Sequence, residues 1–381
     1  MKNKINFNEP FITGDELENI KRVFKENKFY GDGVFTKNCH EKITEILGKK
    51  NILLTDSCSS ALDIVALCIK DEIGSGEVIM PSYTFPSTAN AFAKVGIKIV
   101  FAEIQNTNMT ISIEDVQKKI NRNTRAIIMV HYGSFLGDIL KLKEICSKNK
   151  IILIEDAAQA FGSKLNGYSA GTFGDFGCFS FHETKNLHAG LSGALYIKRN
   201  NYFKKCQMIW ERGTNRQELL KGLTDKYTWR EIGGSYYPSE LQASFLDSQL
   251  NFVRENISYR RKLFYKYNES LRDLKRDGKL FFPDLPAELS SNYHSFYILT
   301  KNSRQNLLLR KFLEERKISS YIGYIPLHSS PMGSKLGNFK KDLPITNKYS
   351  ERVVRLPFHN NMKLKDVKYV CSVIKEFYDG I

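Results

Sequence analysis

The chain has 381 residues, 42% hydrophobic and 12% aromatic, which supports a deep core and excludes a disordered polymer. No run approaches 18 consecutive apolar residues, so a membrane-spanning helix is excluded, and the basic start at residues 1–6 has no apolar stretch behind it, so no secretory leader is expected. The 57 basic residues against 41 acidic ones give +16, but they are spread along the chain among acids, which argues against nucleic acid and fits steering of an anionic small substrate. Seven cysteines without a CxxC or metal-ligand spacing read as reduced thiols of a cytoplasmic protein, with no metal site.

In chain order, Thr13-Gly14-Asp15-Glu16 fits a capping box, and Leu17, Ile20 and Phe24 follow at helical spacing. From about residue 50, apolar runs at 51–54, 78–80, 98–101, 126–130, 151–154, 178–181 and 194–197 alternate with amphipathic stretches that include 59–69, 113–120 and 139–149. This alternation predicts an α/β domain with a mostly parallel sheet, whose ligand sites gather where strands end and helices begin. After Ser248 the pattern changes to a charged helix over 251–274, a strand at 296–299 and helices over 306–316 and 365–377. The expected division is a large α/β domain, residues 1–248, and a smaller α+β domain, residues 249–381.

The strand ends carry the chemistry. Leu54-Thr55-Asp56-Ser57-Cys58-Ser59 runs from a strand into a hydroxyl-rich helix start, which suits either a phosphate or simple helix capping. Phe85, in the loop after 78–80, is placed either to stack on a flat ring or to join the core. Asp156 closes a buried strand, where a carboxylate needs a partner: a protonated pyridine nitrogen, a buried cation or Mg²⁺. Lys185 follows another strand, where low-dielectric surroundings would make its amine nucleophilic enough for a Schiff base and able to shuttle a proton. Each residue alone has a bland explanation; their order along the chain is more specific.

With these residues in place, the chain resembles the DegT/DnrJ/EryC1/StrS sugar aminotransferases, of fold-type I pyridoxal-phosphate enzymes, over nearly its whole length. The resemblance rests on residues 81–90, 155–159, 180–186, 213–216, 227–230 and 325–328, and within the family 181–186, 213–216 and 227–230 look like the dTDP-4-amino-4,6-dideoxygalactose transaminase branch. It implies a large domain with a mostly parallel sheet and a smaller C-terminal domain. The implied cofactor is pyridoxal 5'-phosphate, passing through pyridoxamine 5'-phosphate, with Lys185 as its covalent anchor. Asp156 would face the pyridine nitrogen, Gln159 the ring hydroxyl and Phe85 the ring face. Cys58 (through its backbone), Ser59 and Ser180 would hold the phosphate, with Ser235 reaching a partner subunit's phosphate. His328, Tyr324 and Arg216 would lie on the substrate side. The implied activity transfers an amine from glutamate to C4 of a nucleotide-linked 4-keto-6-deoxy hexose, such as dTDP-4-keto-6-deoxyglucose, for O-antigen or a related surface polysaccharide, in a homodimer with shared active sites. C3 amination of a related keto sugar and a non-catalytic regulatory role are the alternatives. The sequence departs from the family pattern at Ser235 (often Asn), Tyr237 (often Arg), Cys58 (usually Gly) and at Gly190-Leu191-Ser192-Gly193, which replaces Gly-Glu-Gly-Gly one residue short.

Overall fold

A computed structural model describes residues 4–338 and 340–380; the first three residues of the basic start lie outside them. Strands β1 (Ile52–Thr55), β2 (Glu77–Pro81), β3 (Lys98–Ala102), β4 (Thr124–Val130) and β5 (Ile152–Asp156) precede β6 (Lys164–Leu165) and β7 (Tyr168–Ser169), which join β10 (Leu289–Ser290) in a small sheet ordered β10-β6-β7. β8 (Phe176–Ser180) and β9 (Gly193–Ile197) follow, and the seven long strands form one sheet in the order β1-β9-β8-β5-β4-β2-β3. β2, β3, β4, β5 and β8 pair in parallel, as in Val78↔Ile99 and Ile154↔Phe176. Only β9 runs against its neighbours, pairing Leu53↔Leu195 with β1 and Cys178↔Leu195 with β8.

The strands read as continuous apolar runs because both faces of the sheet are covered. Alternate residues feed two cores. Ile79, Ile127, Met129 and Leu153 join helices α2 (Val34–Leu47), α6 (Ile139–Asn149) and α9 (Glu240–Leu250) on one face. Val78, Met80, Ile128 and Ile154 join α3 (Cys58–Ile73), α4 (Pro86–Lys94) and α7 (Asn200–Trp210) on the other. All seven expected strands form, with ends shifted by one or two residues.

The first helix, α1 (Glu16–Glu26), departs from expectation. Asp15 precedes it without a side-chain cap, and the Glu16 carboxylate instead accepts from the Thr13 and Gly14 N–H groups and from Gln249 Nε2 (2.7 Å). Glu16 and Val23 are the buried positions, whereas Leu17 and Phe24 are 69% and 62% exposed. The helical period marks an apolar stripe but does not say which body covers it.

The C-terminal part forms a third core. The long helix α10 (Val253–Arg276), α11 (Ser303–Glu315) and α14 (Leu364–Asp379) pack against a sheet ordered β11 (Tyr297–Leu299), β13 (Val353–Arg355), β12 (Tyr321–Ile322). The N-terminus is tied to this part: Ile5 bridges Ile318, and the Phe358 N–H donates to the Phe7 carbonyl (3.1 Å).

Candidate active site

A cavity of about 440 Å³ opens at the carboxyl ends of β1, β2, β4, β5 and β8, and the C-terminal part with Phe7 and Asn8 of the N-terminal segment adds further wall. Lys185 enters it from the loop between β8 and β9. That loop is folded back on itself: Phe181 N–H donates to the Ser192 carbonyl (2.8 Å), Glu183 N–H to Gly190 (2.9 Å) and Lys185 N–H to His182 (2.9 Å). Burial holds the Lys185 amine below the ordinary lysine range, and the Arg355 guanidinium adds to this while Asp156 opposes it. A neutral, nucleophilic amine is therefore more available than on an exposed lysine.

Asp156 ends β5 with 6% exposure. Its Oδ2 accepts from Thr88 Oγ1 (2.7 Å), which also lies 2.8 Å from Thr84 Oγ1, and its Oδ1 accepts from the Ala158 N–H (3.2 Å). Three residues on, Gln159 Oε1 accepts from the Gly133 N–H (2.7 Å) and its Nε2 donates to Tyr324 Oη (2.7 Å). Burial pushes the Tyr324 hydroxyl up to about 12, so it stays protonated.

The start of α3 forms another wall. Ser57 caps it, accepting from the Ser60 N–H (3.1 Å), and Ser59 Oγ donates to Ser87 Oγ (2.7 Å). The first N–H groups of a helix have no intrahelical partner, so those of Cys58 and Ser59 form, with the helix dipole, an anion-binding end. Gly193 permits this end to sit against β9: a Cβ there would lie 2.5 Å from Cys58 N and 2.5 Å from the Ser57 carbonyl carbon. The unusual stretch around it is anchored, with the Leu191 carbonyl accepting from Gln242 Nε2 (2.7 Å) and Ser192 Oγ donating to the Thr55 carbonyl (3.0 Å). Phe85 lines the cavity with 56% exposure, its ring 6.2 Å from that of Tyr324.

Eight of the residues singled out from the sequence thus share one cavity: Cys58, Ser59, Phe85, Asp156, Gln159, Ser180, Lys185 and Tyr324. Three lie elsewhere. His328 is fully buried behind the wall, with Nδ1 2.6 Å from Ser82 Oγ, so its placement gives it a scaffolding contact and no opening to the cavity. Arg216 pairs with Glu211 (2.5 Å) and Asp32 (3.5 Å), because the buried Glu211 carboxylate needs a cation. Ser235 is exposed and bridges Glu211 through its backbone. Cavity residues that the sequence did not single out include Phe7, Thr88, His294 and Arg355. Thr84 and Thr88, four positions apart across the start of α4, are a weak signal beside a buried acid. A charge closing the apolar pair Val353-Val354 is a stronger one.

The donor set fits pyridoxal phosphate: a depressed amine, a buried carboxylate that accepts from two donors, an anion-binding helix end and an available aromatic face. The DegT/DnrJ/EryC1/StrS aminotransferase family model matches residues 10–375. The chain belongs to that family. It is a pyridoxal-phosphate-dependent aminotransferase. It is 26% identical over 378 residues to dTDP-4-dehydro-2,3,6-trideoxy-D-glucose 4-aminotransferase of Saccharopolyspora spinosa, covering 97% of this chain and 95% of that one. It is 28% identical over 344 residues to UDP-N-acetyl-3-dehydro-alpha-D-glucosamine 3-aminotransferase of Acidithiobacillus ferrooxidans, covering 88% and 87%. The fold matches the PLP form of the sugar aminotransferase Spr1654 from Streptococcus pneumoniae with a TM-score of 0.90 at 20% identity, over 99% of both chains.

Proposed function

We propose that this aminotransferase moves the amino group of glutamate to C4 of a nucleotide-linked 4-keto-6-deoxy hexose, dTDP-4-keto-6-deoxyglucose, in building a surface polysaccharide such as an O-antigen. The observation that carries the chemistry is the convergence of Lys185, Asp156, Gln159 and the α3 start on one cavity. C4 is favoured by residues 181–186, 213–216 and 227–230, and by the Saccharopolyspora relative, named as a 4-aminotransferase. The Acidithiobacillus relative, named as a 3-aminotransferase, keeps C3 amination as the second reading.

When bound, pyridoxal phosphate supplies an electrophilic carbonyl and a ring that draws electrons from the reacting carbon. Lys185 would anchor it, and its buried amine, held below the ordinary lysine range, is the group placed to take up and give back a proton in the cavity. Asp156, oriented by Thr88, would meet the ring nitrogen, Gln159 would hold the ring hydroxyl, and Phe85 would cover the ring. The Cys58 and Ser59 N–H groups with Ser180 would take the phosphate.

The working unit in this reading is a homodimer, with Ser235 and Arg216 approaching the partner's cavity. Support comes from large apolar side chains left open to solvent in the protomer, including Leu17, Phe24 and Trp229 (78% exposed). In this reading residues 1–248 make up the large domain and residues 249–381 the small one.

The test is a panel of keto-sugar nucleotides offered with glutamate, with product configuration read by NMR. A 4-amino product with dTDP as nucleotide is expected; a 3-amino product would transfer the assignment to the second reading.

A further inference from the structure

His294 borders both the main cavity and a small void behind Lys185, and the two residues share the walls of each. Its backbone is held from several sides. Tyr293, just before it, takes a left-handed φ of 52°, which a tyrosine keeps only where its surroundings enforce it. The buried Arg260 donates through Nε to the Tyr293 carbonyl (2.8 Å) and through Nη2 to the His294 carbonyl (2.6 Å). Ser291 Oγ accepts from the Tyr293 N–H (2.8 Å). The His294 ring, 6% exposed, then sets Nδ1 at 3.1 Å from Asn186 Oδ1.

That contact settles the tautomer. Asn186 Nδ2 donates to the Asn292 carbonyl (2.7 Å), which can only accept, so the oxygen of the Asn186 amide is what faces His294. Nδ1 therefore carries the proton, and in the neutral ring Nε2 presents a lone pair. Burial, and after it the charge of Lys185, keeps the imidazole well below the usual histidine range, which favours that neutral ring. Among the described residues neither Nε2 nor the Lys185 amine has a hydrogen-bond partner. Asn186 follows Lys185 in the chain, and its carbonyl takes Asn256 Nδ2 (2.7 Å), so the imidazole is held in register with the lysine's own backbone.

We propose that His294 is the positioning residue for the free amine of Lys185: Nε2 accepts a hydrogen bond from that amine and aims it into the cavity. This rests on the proposed role of Lys185 as the group that takes up and gives back a proton, and deepens it. The amine gains a proton to become an ammonium and then loses it; an N–H faces Nε2 in both states, and no proton passes to His294. A neutral acceptor suits that cycle. A carboxylate in the same place would stabilise the ammonium and hinder return of the proton, whereas an uncharged lone pair orients both forms.

The experiment uses the two amides that each copy one imidazole nitrogen. His294→Asn keeps a donor at the place of Nδ1 and deletes Nε2; His294→Gln puts an acceptor at the place of Nε2 and gives up the bond to Asn186. Loading of pyridoxal holoenzyme by glutamate, plain or deuterated at the α-carbon, is followed by absorbance, cofactor affinity is titrated on apoenzyme, and unfolding of apoenzyme reports the fold. A misplaced amine predicts that His294→Asn lowers kcat for loading about 100-fold, while His294→Gln stays within about 10-fold of wild type. The deuterium isotope effect should grow in His294→Asn, with glutamate KM and cofactor affinity within about threefold of wild type. A scaffolding histidine predicts the opposite order of the two variants, with His294→Gln the less stable protein, and that result overturns the proposal. So does a change confined to the KM of glutamate or of the sugar nucleotide, which would assign Nε2 to a substrate group. Nitrogen NMR of wild-type enzyme with isotope-labelled histidine needs no altered fold. It should show His294 protonated at Nδ1, and an Nε2 resonance that moves when pyridoxamine phosphate replaces pyridoxal phosphate and frees the Lys185 amine. A ring protonated at Nε2, or a resonance that does not move, overturns the proposal. Lys185→Ala enzyme that loads at the wild-type rate refutes the role of the lysine itself, a result distinct from the others.

Discussion

Gly193→Ala tests the proposed phosphate seat through a single methyl group. The added Cβ would stand 2.5 Å from Cys58 N and from the Ser57 carbonyl carbon, and 2.7 Å from the Ser57 carbonyl oxygen. Ordinary contact lies near 3.5 Å, so the start of α3 must retreat by roughly 1 Å. The obstacles are backbone atoms and Gly193 is held in register with Thr55 and Ser180, so no side chain can swing aside. Overpacking of this kind costs about 1–3 kcal/mol of apoenzyme stability. The retreat also misaligns the Cys58 and Ser59 N–H groups. One lost hydrogen bond to a charged group is worth about 1.5–3 kcal/mol, which weakens cofactor binding about 10- to 150-fold. Denaturant unfolding of apoenzyme and cofactor titration by absorbance measure the two effects independently. Lower stability with unchanged cofactor affinity would place the phosphate elsewhere than at the helix end.

The depressed Lys185 amine carries a sign. Its neutral form is present above its lowered pKa, so covalent capture of pyridoxal phosphate by apoenzyme should reach its midpoint below the ordinary lysine range; a midpoint at the free-lysine value would show that burial does not tune it. Borohydride should then fix the cofactor on Lys185, and Lys185→Ala should lose at least about 1000-fold in turnover, since it removes both anchor and proton carrier. Thr88→Val keeps the shape of the side chain but removes the 2.7 Å hydrogen bond to Asp156, costing about 1.5–3 kcal/mol in apoenzyme unfolding, whereas Thr88→Ser should retain most of it. Equal stability of the two variants would make the contact incidental. Leu17→Glu with Phe24→Glu should shift sedimentation toward monomer and reduce activity without lowering the unfolding free energy of the protomer, because both side chains are exposed in it. Unchanged sedimentation would locate the interface of the proposed dimer away from α1.

The sequence by itself determined the sheet and most of the cavity floor. Its strands are buried on both faces and therefore read as unbroken apolar runs, and residues just past each run necessarily stand at the edge where a parallel sheet binds ligands. Asp156 and Lys185 are legible for that reason: their meaning follows from local position. The contacts that depend on distant segments were not legible. Thr88 meets Asp156 across 68 positions, and His328 turns inward to Ser82 across 246. The stripe of α1 was visible, but its exposure was not, since periodicity gives a face and not its cover. Arg355 and Phe7 stand at opposite ends of the chain, and only the return of the N-terminus onto the C-terminal part places one against the other beside Lys185. Strand ends are fixed by neighbours in sequence; the walls that close over them are fixed by packing between segments whose spacing along the chain carries no signal.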